Sequence, residues 1–290
     1  MEIFVLKFLS DNLPKKDLPD NYSFYYLNRD PAEFKNLTGT SAIDYYVSTI
    51  RPKIKTLFPD NQIAQDLSIP KLFGLNTLVS KTSVINGFAF LKSSSEDVSS
   101  FNRTFLEITG AFADFGPLTS IDPEFKLRLY ETFLRNSAKQ QKLGQFFTPR
   151  NVVKSIIKMA NLSKLPNGAV VLDPAAGVGG FVLEPLLLQD SLPNNIQFRG
   201  GKPTKRVTLV GVDMDADTHI LAKANMLIHL AEAVRDPATT VQALNLAMAE
   251  TFVIMNDNQT LGALYNPPKR CCGRYNDQSP LCYAGKRYLP

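Results

Sequence analysis

Hydrophobic positions Val152, Val153, Ile156, Ile157 and Ala160 recur at i, i+1, i+4, i+5 and i+8, the period of a helix that buries one side against a sheet. An apolar run at 169–172 predicts a strand, and a run at 206–212 predicts another. Residues 162–168 read as the loop before the first strand, 181–188 as a helix that Pro185 kinks, and 190–206 as a polar loop. Ile220, Leu221, Ala224, Leu227, Ile228 and Ala231 share one helical face, and 240–244 reads as a third strand. Strands alternating with helices in this way predict an α/β fold with a parallel, doubly wound sheet.

Residues 1–120 read as a separate, mainly helical domain. Helical character is clearest at 41–50 and 97–112, where Phe101, Phe105, Ile108 and Phe112 form a stripe expected to be core. Tyr22, Phe24, Tyr25 and Tyr26 cluster, and such clusters either pack or stack nucleotides; the scarcity of positive neighbours favours packing. Asp122 is placed to cap a helix with Pro123 at its first position, carrying Phe125, Leu129 and Phe133 on one face. Thr148 and Pro149 form a second cap, ahead of the helix that carries Val152 to Ala160.

Composition narrows the class. Among 290 residues, 44% are hydrophobic and 20% charged, an ordinary globular balance. No apolar run reaches the roughly 18 residues of a membrane span, and the first residues lack a cleavable leader pattern, so a cytoplasmic location is expected. The net charge of +5 is misleading, because Lys269, Arg270, Arg274, Lys286 and Arg287 against Asp277 place +4 in residues 269–290. The rest of the chain is nearly neutral, and charge alone gives the folded body no DNA-binding signature. Cys271, Cys272 and Cys282 share that tail, far from His219 and His229, so no metal site is expected and the cysteines read as free thiols.

The candidate chemistry lies at the end of the first strand. Asp173-Pro174-Ala175-Ala176-Gly177-Val178-Gly179-Gly180 joins that strand to the helix opening at Phe181. Glycines let backbone approach a ligand, and a helix start offers unpaired N–H groups, so this turn can cradle an adenosyl group. Asp213 ends the next strand, where an open α/β sheet presents an acceptor for ribose hydroxyls.

Just upstream stands Gly144-Gln145-Phe146-Phe147-Thr148-Pro149. Together with the glycine turn, it resembles the adenine-specific DNA methyltransferases of restriction-modification systems, the group containing type I modification subunits, over roughly residues 121–230. The resemblance implies a helical amino-terminal domain (1–120) followed by a truncated, Rossmann-like methyltransferase domain (121–268) that binds S-adenosylmethionine without a metal. It implies that Gln145, Phe146, Phe147, Thr148 and Pro149 line the donor pocket, and that Asp173, Ala175, Gly177, Gly179 and Gly180 hold the donor. Asp213 would take its ribose hydroxyls, and Glu250 is the nearest candidate for the acid that touches its adenine; a plain surface glutamate is the other reading. Double-stranded DNA is the implied substrate, with specificity or restriction subunits as partners.

In that family an Asn-Pro-Pro-aromatic loop grips the flipped adenine. Here the candidate is Asn266, Pro267 and Pro268, but Lys269 stands where the ring should be, and Leu261-Gly262-Ala263-Leu264 makes a poor preceding strand. An Asn-Pro turn without catalytic role fits equally well. Residues 269–290 break abruptly in composition and read as an irregular tail. Read one nucleotide later, codons open to residues 276–283 spell Met-Thr-Asn-Pro-Pro-Tyr-Val, which raises an out-of-frame tail as an explanation. Two functions therefore stand side by side: a DNA adenine methyltransferase, and an inactive relative that only binds the donor or a partner subunit. A protein- or RNA-methylating enzyme on the same fold is a third, which the Gly144–Pro149 string weighs against.

Overall fold

The protein is described here by a computed structural model covering residues 2–59, 79–80, 84–85, 101–119, 148–213, 216–255 and 282–284. The chain divides into two compact units. One comprises Met1–Asp60, Ser83–Asn136 and Leu230–Pro237, the other Asn61–Thr82, Ser137–His229 and Ala238–Pro290.

In the first unit, α1 (Glu2–Asn12) is apolar around most of its circumference and is buried accordingly, with Phe4, Leu6, Phe8 and Leu9 all inside. Lys7 is buried with them because Asp11 Oδ2 and Tyr25 Oη take its ammonium at 3.2 and 2.9 Å. Helices α2 (Pro31–Thr38) and α3 (Ala42–Tyr45) start at Asp30 and Ser41, whose side chains accept from backbone N–H groups. Arg51–Leu57 forms α4 and Asn102–Asp114 forms α5. The tyrosine cluster packs: Phe24 is buried and Tyr26 stacks on Phe34 and Tyr45. The stripe on α5 is only half core. Phe105 is buried and Phe112 meets Phe4 at 6.1 Å, but Phe101 and Ile108 are exposed, because the packed face is centred nearer Thr109.

The second unit holds the sheet. Its strands are β1 (Val79–Ser80), β2 (Val170–Asp173), β5 (Thr208–Asp213), β6 (Phe252–Met255) and β7 (Cys282–Ala284); β3 (Ile196–Arg199) and β4 (Lys202–Lys205) form a separate hairpin. The helices are α6 (Arg150–Ala160), α7 (Gly180–Leu187), α8 (Ala216–His229) and α9 (Val241–Ala249), with a short helix Ala231–Arg235 in the other unit. Strand order is β1-β6-β5-β2-β7. The three central strands are parallel, in register Asp173↔Gly211 and Gly211↔Phe252, and both outer strands are antiparallel. The sheet is therefore mixed, where an all-parallel one was expected.

Four local expectations need correction. Residues 240–244 open a helix: Thr240 Oγ1 accepts from Ala243 N–H, and Val241, Leu244 and Met248 are buried at helical spacing. The third parallel strand comes later, at Phe252–Met255. The loop at 190–206 contains the β3–β4 hairpin, which turns at Gly200-Gly201. Within the tail, Cys282–Ala284 pairs with β2. On α6 only Val153 and Ile157 are buried, and Val152 is exposed. No described helix is long and apolar enough to cross a membrane.

Candidate functional site

Parallel strands β2 and β5 end side by side at Asp173 and Asp213. The glycine turn leaves β2, folds back over β5 and enters α7. Ala176 N–H donates to Val212 O at 2.9 Å, Gly177 N–H donates to Asp213 Oδ2 at 2.9 Å, and Gly179 N–H closes on Ala176 O at 2.8 Å. Gly177 and Gly179 take φ of 55° and 87°, left-handed backbone that favours glycine. At Gly179 the requirement is also steric, since a Cβ there would lie 2.7 Å from Phe252 Cζ. Gly211 is constrained the same way, its absent Cβ falling 2.8 Å from that of Ala176.

Asp173 is 3% exposed. Its Oδ1 accepts from Ala175 N–H at 3.1 Å, and its Oδ2 has no hydrogen-bond partner among the described residues. Burial pushes its carboxyl up to about 7; the Ala175 N–H opposes the rise and Asp213 adds to it. A buried carboxylate with a free oxygen, at the mouth of a glycine turn, is suited to receive a cationic or hydroxyl-bearing group that would repay its desolvation.

Among the expected site residues, the structure brings Asp173, Ala175, Gly177, Gly179, Gly180 and Asp213 together. Thr148 and Pro149 stand exposed at the start of α6, with Pro149 as its N-cap. Gln145, Phe146 and Phe147 lie outside the described residues, as do Asn266, Pro267 and Pro268. Glu250 is not brought to the others. It caps α9 two residues ahead of β6, which is separated from β2 by β5, and Lys205 Nζ pairs with its Oε2 at 2.6 Å. The acid that follows β6 in sequence is Asp257, outside the described residues.

Several residues that shape the turn were not singled out from sequence. Phe252 fills the hollow between Gly179 and Gly211. Asn225 Nδ2 donates to Val178 O at 3.1 Å from within α8. Glu184, the only charge in the otherwise apolar α7, is buried against Arg150. A lone acid in an apolar helix is the one visible signal; the other two depend on neighbours distant in sequence. His219 is buried, edge-on to Phe252, as a core histidine would be.

Comparison with known proteins agrees with this geometry. Residues 126–267 match the family described as N-6 DNA Methylase. Over 106 residues the chain is 35% identical to the type I restriction enzyme StySPI methylase subunit of Salmonella potsdam, and 34% identical to the type I restriction enzyme EcoKI methylase subunit of Escherichia coli (strain K12). Each of these matches covers 35% of this chain and 20% of the relative, so the aligned part spans about one fifth of the curated relatives' length. No solved structure matches the chain. By lineage, residues 126–267 are therefore similar to the N-6 DNA Methylase family and to the methylase subunits of type I restriction enzymes.

Proposed function

We propose that this chain binds S-adenosylmethionine at the carboxyl ends of β2 and β5 and serves transfer of its methyl group to the exocyclic amine of adenine in double-stranded DNA, with specificity or restriction subunits as partners. The observation that carries the reading is the pair Asp173 and Asp213 flanking a glycine turn whose backbone is held open by left-handed glycines. The residues fit the donor chemically. Asp173 Oδ2, buried and without a partner among the described residues, suits the ammonium of the methionine moiety. Asp213 suits the ribose hydroxyls, through charge-assisted bonds of about 1.5–3 kcal/mol each. Gly177, Gly179, Gly180 and Ala175 shape the cradle, and Gln145–Pro149 line it. With Glu250 ahead of β6 and paired to Lys205, the acid for the donor's adenine in this reading is Asp257.

Methyl transfer forms a nitrogen–carbon bond as a sulfur–carbon bond breaks, and the amine releases its proton. The protein's part is to align the two reactants, and such alignment can lower a barrier by about 7–11 kcal/mol. Asn266 and the Pro267 carbonyl would accept from the flipped amine, with Pro268 closing the loop. Calorimetric titration with S-adenosylmethionine, followed by tritiated-methyl transfer to DNA, protein and RNA, tests the reading. Absence of donor binding by folded protein, with Asp213→Ala unchanged in thermal stability with and without donor, ends it.

One observation favours a second reading, a relative that binds the donor without catalysis. The neighbour of β2 away from β5 is antiparallel β7, in register Leu172↔Cys282, where a parallel strand carrying the catalytic loop would be needed. Donor binding without transfer to any substrate is its signature.

A further inference from the structure

Two separate sequence strings are assigned to the donor above, and one buried carboxylate joins the helices that follow them. Arg150 is the first residue of α6, directly after Thr148-Pro149. Glu184 lies one turn into α7, four residues after Gly180. Arg150 Nε donates to Glu184 Oε2 at 2.9 Å, and Lys154 Nζ stands 3.7 Å from Oε1. Glu184 is 5% exposed, and the side chain of Arg150 is 12% exposed.

A buried ion pair is a poor device for stability, since desolvation of both charges offsets most of their attraction, and an apolar pair of similar volume commonly does as well. What a buried pair does supply is direction. The guanidinium and the carboxylate fix the distance and angle between their two helices. Here those helices are the ones whose amino-terminal ends carry the Thr148-Pro149 segment and the glycine turn. Both contacts sit within the first turn or two of each helix, so rotation or sliding of α6 against α7 is transmitted to the two amino-terminal ends.

We infer that Glu184 is a positioning residue for donor binding, which moors α6 through Arg150 and Lys154 and thereby sets the gap between the segment ending at Pro149 and the Gly177–Gly180 turn. The inference rests on the donor-binding reading above. Glu184 touches no donor atom in it, and acts only through the two helices.

The test uses the full chain and S-adenosylmethionine itself. Dissociation constants by calorimetry and thermal midpoints without ligand are compared for wild type, Glu184→Gln, Arg150→Lys and the apolar double variant Arg150→Met/Glu184→Leu. The single variants are expected to weaken binding on the order of tenfold, within the usual range for coupled sites. The double variant, free of an unpaired buried charge, is expected to recover the midpoint and not the affinity. Amide exchange in residues 176–180 should rise in Glu184→Gln while β5 stays protected. Wild-type affinity in Glu184→Gln, or affinity that returns with the midpoint in the double variant, would overturn the inference and leave the donor-binding reading intact. Failure of the folded wild type to bind removes both.

Discussion

Two groups, the buried Asp173 and the half-buried His229, titrate in opposite senses on folding. Asp173 is held near 7, above its ordinary value, so the folded state keeps its proton and the associated stability fades as pH rises from about 4 to 7. His229 is held near 4, below its ordinary value, first by burial and further by Arg150, while the Asn225 carbonyl its Nδ1–H meets at 2.9 Å opposes the shift. Its contribution is present above about 6.5 and fades as pH falls toward 4. The two nearly cancel between pH 4 and 6.5. Chemical denaturation across that range should therefore show Asp173→Asn gaining stability as pH rises, by about 2 kcal/mol after discounting for the surface His229 retains. His229→Gln should lose stability as pH rises, by on the order of 4 kcal/mol up to pH 7; parallel curves for wild type and both variants would refute the assignment. Gly179→Ala combines a left-handed residue with an atom driven into Phe252, and should cost about 3 kcal/mol. Measured in a Phe252→Leu background, that cost should shrink. Asp173, Gly177, Gly179 and Asp213 were legible in the sequence because left-handed backbone and strand ends restrict residue type at the position itself. Phe252, Asn225 and Glu184 were not, since their roles are set by what faces them across the fold.

At the scale of elements, the sequence was readable where periodicity was long or a cap was plain, and misleading where short runs stood alone. Residues 240–244 looked like strand, and β-branched Thr240 and Val241 favour one, yet Thr240 works as a helix cap and the strand lies at Phe252–Met255. That shift of one element is why Glu250 precedes the third strand instead of following it. The β3–β4 hairpin was missed although its signal is present: two extended runs separated by Gly200-Gly201. Both glycines have positive φ, 56° and 73°, as a two-residue turn of the primed type requires. Gly200→Asn should therefore be nearly neutral, and Gly200→Val should cost about 1–2 kcal/mol. Because the hairpin is a sheet of its own, amide exchange should rise in 196–205 of the valine variant while donor affinity stays at the wild-type value.

Across the whole molecule, the parallel pairing of β2 with β5 followed from alternating strands and helices. The outer strands did not, because a three-residue antiparallel pairing leaves almost no pattern. β7 matters beyond its length. It covers the edge of β2, the strand that delivers Asp173, and it comes from the basic segment whose composition departs from everything before it. In the out-of-frame explanation, the gene's nucleotides read one position later through residues 276–283 must spell an Asn-Pro-Pro-aromatic string; any other string returns Asn266 to the catalytic role. Either origin gives the same physical expectation for the protein as it stands. Deleting residues 269–290 uncovers the N–H and C=O groups of Val170–Leu172 on one side, and an open edge invites pairing with another chain. The shortened protein should melt a few degrees lower, as expected for a loss of about 1–2 kcal/mol in a protein of this size. It should also associate with itself at concentrations where the full chain does not, and bind S-adenosylmethionine more weakly as β2 loosens. Sedimentation and thermal scans of the two proteins side by side decide the point: equal midpoints and equal mass would mean that β7 contributes nothing to the sheet, and that the edge of β2 is protected by some other means.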